Sequence, residues 1–314
     1  MREIGGYIEL DRYNNELLHK KAIALNCGRN CLAYLIETKN IKTIWLPYFL
    51  CDSVRNVCVK YGVVARYYHV GTDWTIQDIA LQQDEYLYVV NFYGQLSREY
   101  LASLKEKYER VIVDNSQAYF EMPVDGLDTL YTCRKYFGVS DGAFLYTDEV
   151  LERELPIDES FERIRYVLGR FERTAQDFYK ESVENNKIFA DEPIKYMSKL
   201  TRNLLCGIDF ERVRKTRTEN FSYLNEKLAH INKITVKNVE GAFMYPLMID
   251  NAQELKKRLL ENKIYIPTLW PNILDDLPKD WLEYKLANEI LSLPVDQRYG
   301  KDEMEHIVGI FRTI

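Results

Sequence analysis

A chain of 314 residues, 46% hydrophobic and 29% charged, is long enough to bury a sizeable core and reads as an ordinary globular α/β protein rather than a disordered or fibrous one. Its formal net charge of −6 argues against nucleic acid as the main partner, and no stretch approaches the ~18 apolar residues that cross a bilayer. Six cysteines without a CxxC pair, four isolated histidines and a start lacking a signal-peptide hydrophobic region point to a reducing, cytoplasmic compartment and away from a zinc site.

From Ile23 to Tyr146 short apolar runs alternate with amphipathic stretches, the pattern of βαβ units in an open, mostly parallel sheet flanked by helices. Strands are predicted at 43–46, 63–68, 86–90, 110–113, 129–131 and 143–146, with helices at 30–37, 51–61 and 98–108. Residues 151–186 have helical spacing and predict one or two long surface helices that connect rather than catalyse. Pro193 breaks this region, and a further helix is predicted through Arg202, Asp209 and Arg217 toward His230. The basic run from Arg212 to Arg217 reads as a solvated helix face. The tail returns to α/β patterning, with strands at 243–249 and 264–266 and helices at 252–261 and 301–311. The expected division is a large domain over 1–215 and a smaller C-terminal α/β domain over 216–314.

Two segments carry chemistry. The β-branched run Val111-Ile112-Val113 delivers Asp114 at a strand end, where ligands of such sheets bind. A carboxylate leaving an apolar strand needs a cationic partner, although Asp-Asn-Ser is also a common turn. After an interval, Thr132-Cys133-Arg134-Lys135 delivers an amine followed by aromatic residues, Gly138 and Gly142, groups that could dry its surroundings and lower its pKa. A carboxylate that keeps a pyridine nitrogen protonated and an amine that condenses with an aldehyde are together what pyridoxal phosphate chemistry requires. Asn26-Cys27-Gly28-Arg29-Asn30 opens a predicted helix, and its first backbone N–H groups form a cradle for a phosphate, with Arg29 able to clamp two oxygens. Ordinary capping is the plainer reading of that turn. Asn91-Phe92-Tyr93-Gly94-Gln95 is a second strand end, either a ligand contact or a packed aromatic corner.

Taken in order, these elements resemble the fold-type I pyridoxal-phosphate-dependent aminotransferases, and within them the DegT/StrS sugar aminotransferases. The resemblance rests on Asn26-Cys27-Gly28-Arg29, on Asn91-Phe92-Tyr93-Gly94-Gln95 and on Val113-Asp114-Asn115-Ser116-Gln117-Ala118. It continues with Lys135 followed by Asp141-Gly142-Ala143, and with Ile290-Leu291-Ser292-Leu293-Pro294-Val295. It implies that Lys135 condenses with the cofactor, that Asp114 faces its ring nitrogen and that Gln117 lies beside its ring hydroxyl. Gly28, Arg29, Asn30 and Thr132 would hold its phosphate. It further implies transfer of an amino group from a donor such as glutamate to a keto acceptor, a nucleotide-linked keto sugar, in a homodimer. The family's ring-stacking aromatic falls on Cys51 here, leaving Tyr48 or Phe49 as substitutes. The other classes left open are a catalytically inactive cofactor-binding relative with a regulatory or structural role, and a nucleotide-binding α/β protein without pyridoxal phosphate.

Overall fold

The computed structural model describes residues 4–77 and 79–312. The first half runs β1 (Ile23–Leu25), α1 (Gly28–Lys39), β2 (Thr43–Pro47), α2 (Asp52–Lys60), β3 (Val64–Tyr68), β4 (Tyr86–Val90), α3 (Arg98–Tyr108), β5 (Val111–Asp114), β6 (Asp128–Thr132) and β7 (Ala143–Tyr146). Its strands form one seven-stranded sheet in the order β1-β7-β6-β5-β4-β2-β3. The pairings from β3 through to β6 are parallel, and β7 runs antiparallel to both β6 and β1. This is the mostly parallel sheet that the alternating pattern predicts.

Burial explains the layering. Every residue of β4 and β5 is buried, which requires helices on both faces, whereas β3 alternates between exposed and partly buried positions up to the buried Tyr68 and forms an edge. α3 starts where Ser97 Oγ accepts the N–H of Tyr100 at 3.2 Å, an N-cap that sets its register beside β5. Asp114 therefore emerges at the C-terminal end of the central strand, opposite Val90 of β4.

The second half contains α4 (Arg165–Glu172), α5 (Tyr179–Ile188), α6 (Lys199–Leu205), α7 (Phe210–Leu228), β8 (Met244–Met248), α8 (Ala252–Glu261), α9 (Pro271–Asp276), α10 (Leu282–Glu289), β9 (Ile290–Pro294) and α11 (Lys301–Phe311). β8 and β9 pair antiparallel along their whole length. A second core of Phe221, Leu224, Leu247, Leu259, Leu293 and Met304 gathers α7, α8 and α11 onto that small sheet.

Four expectations change. The helices within 151–186 are short, and Gly169 of α4 lies where a Cβ would meet the Phe178 ring at 2.2 Å, so the chain turns back on itself there. The helix expected through Arg202 and Arg217 is two helices, because Asp209 caps α7 by accepting the N–H of Arg212 at 3.0 Å. Residues 264–266 form no strand: Ile264 and Ile266 pack their side chains against the second core while Tyr265 faces solvent. Finally, Arg217 is no member of a solvated face. It is 1% exposed and donates to Gln297 Oε1 and to the carbonyls of Ala242, Phe243 and Tyr136.

Candidate active site

Asp114 is buried, and both of its carboxylate oxygens are held. Oδ2 accepts the Tyr88 hydroxyl at 2.8 Å from the neighbouring strand, and Oδ1 accepts the backbone N–H of Ser116 at 2.7 Å. The second contact is an Asx-type turn, so the bland reading of Asp-Asn-Ser as a turn is correct as far as it goes. It also builds the site. The turn aims Ser116 Oγ at Lys135, whose Nζ donates to it at 2.8 Å. Carboxylate, serine and amine thus form one hydrogen-bonded chain.

Lys135 stands on a helical turn in which the N–H groups of Tyr136 and Phe137 both reach the carbonyl of Cys133. Asp141 anchors the far end of this loop. Fully buried, it accepts the Ser198 N–H and Ser198 hydroxyl at 2.8 Å each and the Thr201 hydroxyl, which ties the loop to the start of α6. Gly142 follows with φ +110, and a Cβ there would press on Thr201 Cγ2 at 3.0 Å and Cys133 Sγ at 3.2 Å. Only glycine suits that backbone and that space. Gly142 donates its N–H to the carbonyl of Asn26, joining the lysine loop to the chain entering α1.

The electrostatics of Lys135 suit an amine that must be neutral. Surrounding protein strips its solvation and lowers its pKa, while the charge of Asp114 pulls it back up in part. Yet solvent still reaches the residue, which is exposed on one side. The aromatic ring beside the amine is Phe243, with Nζ 5.5 Å from the ring centre. The adjacent Tyr136 and Phe137 belong instead to an aromatic core with Tyr119 and Tyr131.

The remaining expected residues divide. Gln117 is buried with its side-chain oxygen accepting the Tyr93 N–H at 2.9 Å, leaving its amide nitrogen without a protein partner among the described residues. Thr132 ends β6 beside Ala143. Gly28 and Arg29 begin α1, where Cys27 provides no side-chain cap and a Cβ on Gly28 would meet only Leu130 Cδ1 at 3.9 Å. Asn30 is buried, its amide donating to Asn26 Oδ1 and the Pro193 carbonyl, and its backbone N–H reaches Cys27. Asn91 is a packed corner: its oxygen accepts the Leu96 N–H and its amide donates to Asn115. Tyr48 stacks on Tyr67, and Phe49 is enclosed by Trp74, Phe92 and Trp270. Cys51 precedes α2 with its Sγ 2.8 Å from Ser53 Oγ.

Sequence reasoning missed Tyr88 and Ser116. β4 carries two buried tyrosines, Tyr86 and Tyr88, and nothing in the sequence marks which of them faces Asp114. Two open cavities, about 330 Å³ beside Tyr48, Tyr67 and Asn272 and about 290 Å³ beside His69, Trp281 and Glu283, lie along the β2–β3 edge and share no residue with the Asp114–Ser116–Lys135 chain. Among the described residues no group of acidic, histidine and cysteine side chains forms a metal site, and no helix is long and apolar enough to cross a membrane.

The geometry suits three separate demands of pyridoxal phosphate: a held carboxylate for a pyridinium, a solvent-accessible amine of lowered pKa for an aldehyde, and a helix start without a side-chain cap for a phosphate. No family model and no curated protein matches the chain. Solved structures do. The sugar aminotransferase CalS13 from Micromonospora echinospora superposes with a TM-score of 0.64 at 16% identity, covering 94% of this chain and 88% of that one. A DegT DnrJ EryC1 StrS aminotransferase from Brucella abortus gives 0.63 at 15%, covering 93% and 85%. NtdA from Bacillus subtilis, solved with its bound cofactor PMP, gives 0.62 at 12%, covering 92% and 73%. Over nearly its whole length, then, the chain has the fold of these aminotransferases.

Proposed function

We propose that this protein is a pyridoxal-phosphate-dependent aminotransferase of the DegT/StrS type, transferring an amino group from a donor such as glutamate to a keto acceptor of the nucleotide-linked keto sugar class. The observation that carries the reading is the Asp114–Ser116–Lys135 chain at the open end of the central strand. The fold shared with sugar aminotransferases supports it.

When bound, pyridoxal phosphate supplies an aldehyde for the amine and a protonated ring that draws electron density from the substrate carbon. Asp114, fixed by Tyr88 and the Ser116 N–H, would face the ring nitrogen and favour its protonated form. Lys135, with its lowered pKa, would hold the aldehyde and serve as the base and acid that moves a proton at the substrate carbon. Ser116 Oγ holds Nζ in position. Gln117, whose amide nitrogen has no partner among the described residues, would lie beside the ring hydroxyl, and Gly28, Arg29 and Thr132 would hold the phosphate. Asn30 braces that helix start through Asn26 and Pro193. The reading includes a cytoplasmic homodimer and a division of the chain into 1–215 and 216–314.

The test is a single half-reaction. Protein purified with pyridoxal phosphate should absorb in the visible, lose that band on adding glutamate alone and regain it on adding a keto acid. A coloured protein whose band no amino donor changes would contradict transfer and favour a binding role.

A further inference from the structure

Immediately before Lys135 stands a guanidinium with no ion-pair partner among the described residues. Arg134 lies over Phe189, 4.6 Å from the ring centre, donates Nη2 to Asn186 Oδ1 at 3.1 Å and leaves Nε buried without an acceptor. Arg29, on the first turn of α1, donates Nη1 to the backbone carbonyl of the same Asn186 at 3.0 Å. Two cations therefore meet on one neutral residue, and neither forms an ion pair among the described residues. They oppose one another: burial first, and the charge of Arg29 in addition, lower the pKa of Arg134. Asp141, which acts on Arg134 from a distance, is already occupied by Ser198 and Thr201.

Crowding like charges in a partly desolvated place is costly unless an anion joins them. Two further features nearby favour an anion. The positive end of α1 lacks a side-chain cap, and Gly28 puts no Cβ beside it. Two residues before Gly28, Asn26 is fully buried with Nδ2 unpartnered. From these juxtaposed donors we infer that Arg134, with Arg29 and the start of α1, is a clamp for a phosphate monoester dianion and makes the site specific for the phosphorylated cofactor. The clamp is built from this chain alone. It rests on the proposed cofactor reading, and it names Arg134 as the residue that discriminates pyridoxal phosphate from pyridoxal.

The test compares those two ligands on cofactor-free protein, with dissociation constants read from visible absorbance and tryptophan quenching. Arg134→Met should weaken pyridoxal phosphate about ten- to a hundredfold, as expected for losing charge-assisted hydrogen bonds, and leave pyridoxal binding unchanged. Arg134→Lys should recover part of the preference, and Arg29→Met should lower it independently. Equal weakening of both ligands, or an unaltered preference, would show that the arginines merely tether the end of α5 and would overturn the clamp. If wild-type protein binds neither ligand, the cofactor reading fails by itself. Line broadening of inorganic phosphate in ³¹P NMR, present in wild type and lost in Arg134→Met, would then still support the clamp, and its absence in wild type would overturn it.

Discussion

A tyrosine hydroxyl decides what Asp114 can do. Without Tyr88 the Oδ2 oxygen would lose its O–H donor and the carboxylate one of its two fixed contacts. Tyr88→Phe should therefore slow the glutamate half-reaction roughly ten- to a hundredfold, from ~1.5–3 kcal/mol for a hydrogen bond to a charged group, while leaving the fold stable in urea unfolding. An unchanged half-reaction rate would reduce Tyr88 to a packing residue. At this scale the sequence was partly legible. Asp114 and Lys135 could be named from strand pattern and spacing, but Ser116 and Tyr88 could not, because a side-chain hydrogen bond between strands leaves no periodic trace. Asn30 and Asn91 show the converse. Their residue type suits a ligand contact, and the fold spends them on its own backbone.

Elements fix the lysine loop from two sides. Asp141 ties it to α6, and Arg217 of α7 reaches back to the Tyr136 carbonyl one residue beyond Lys135. Arg217 is almost wholly buried, and burial lowers its pKa to about 10, so it remains a cation at neutral pH. Arg217→Met should leave several buried carbonyls without a donor and cost ~3 kcal/mol or more in a urea unfolding experiment. Cofactor affinity should fall with it, since the loop loses one anchor. A variant as stable as wild type would show that these contacts are replaced by water. Strands 86–90 and 143–146 and helix 301–311 were predicted with the boundaries observed, because continuous apolar runs and a clean amphipathic repeat mark their own limits. Residues 264–266 misled for the same reason: three alternating positions describe a strand and an extended arm equally well, and only the presence of a neighbouring strand separates them.

Across the whole molecule, stability depends on a histidine remote from the chemistry. His19 is fully buried against Tyr131 and Tyr119, with Nε2 2.9 Å from the Tyr119 carbonyl and Nδ1 3.2 Å from the Tyr146 hydroxyl. Burial lowers its pKa from 6.5 to about 4, with the Tyr119 carbonyl opposing the shift in part. Below 6.5 the unfolded chain takes up a proton that the folded chain refuses, so the contribution is complete above 6.5 and is lost as the pH falls toward about 4. At 1.4 kcal/mol per pH unit between the two values, the loss is about 3 kcal/mol. His19→Gln keeps a donor and an acceptor without titrating. Its unfolding free energy should decline less steeply than that of wild type over this range, and parallel curves would contradict the assignment. Fold class was readable from the alternation of strands and helices. The order of the seven strands was not, since long-range pairing is set by how the helices cover both faces.

The central claim is that Lys135 is the amine that holds the cofactor. Its most direct test is to incubate the protein with pyridoxal phosphate, reduce with borohydride, digest and weigh the peptides. The account predicts one phosphopyridoxyl group, carried by the peptide containing Lys135 and absent from Lys135→Ala. A label on another lysine, or no label at all, would contradict it.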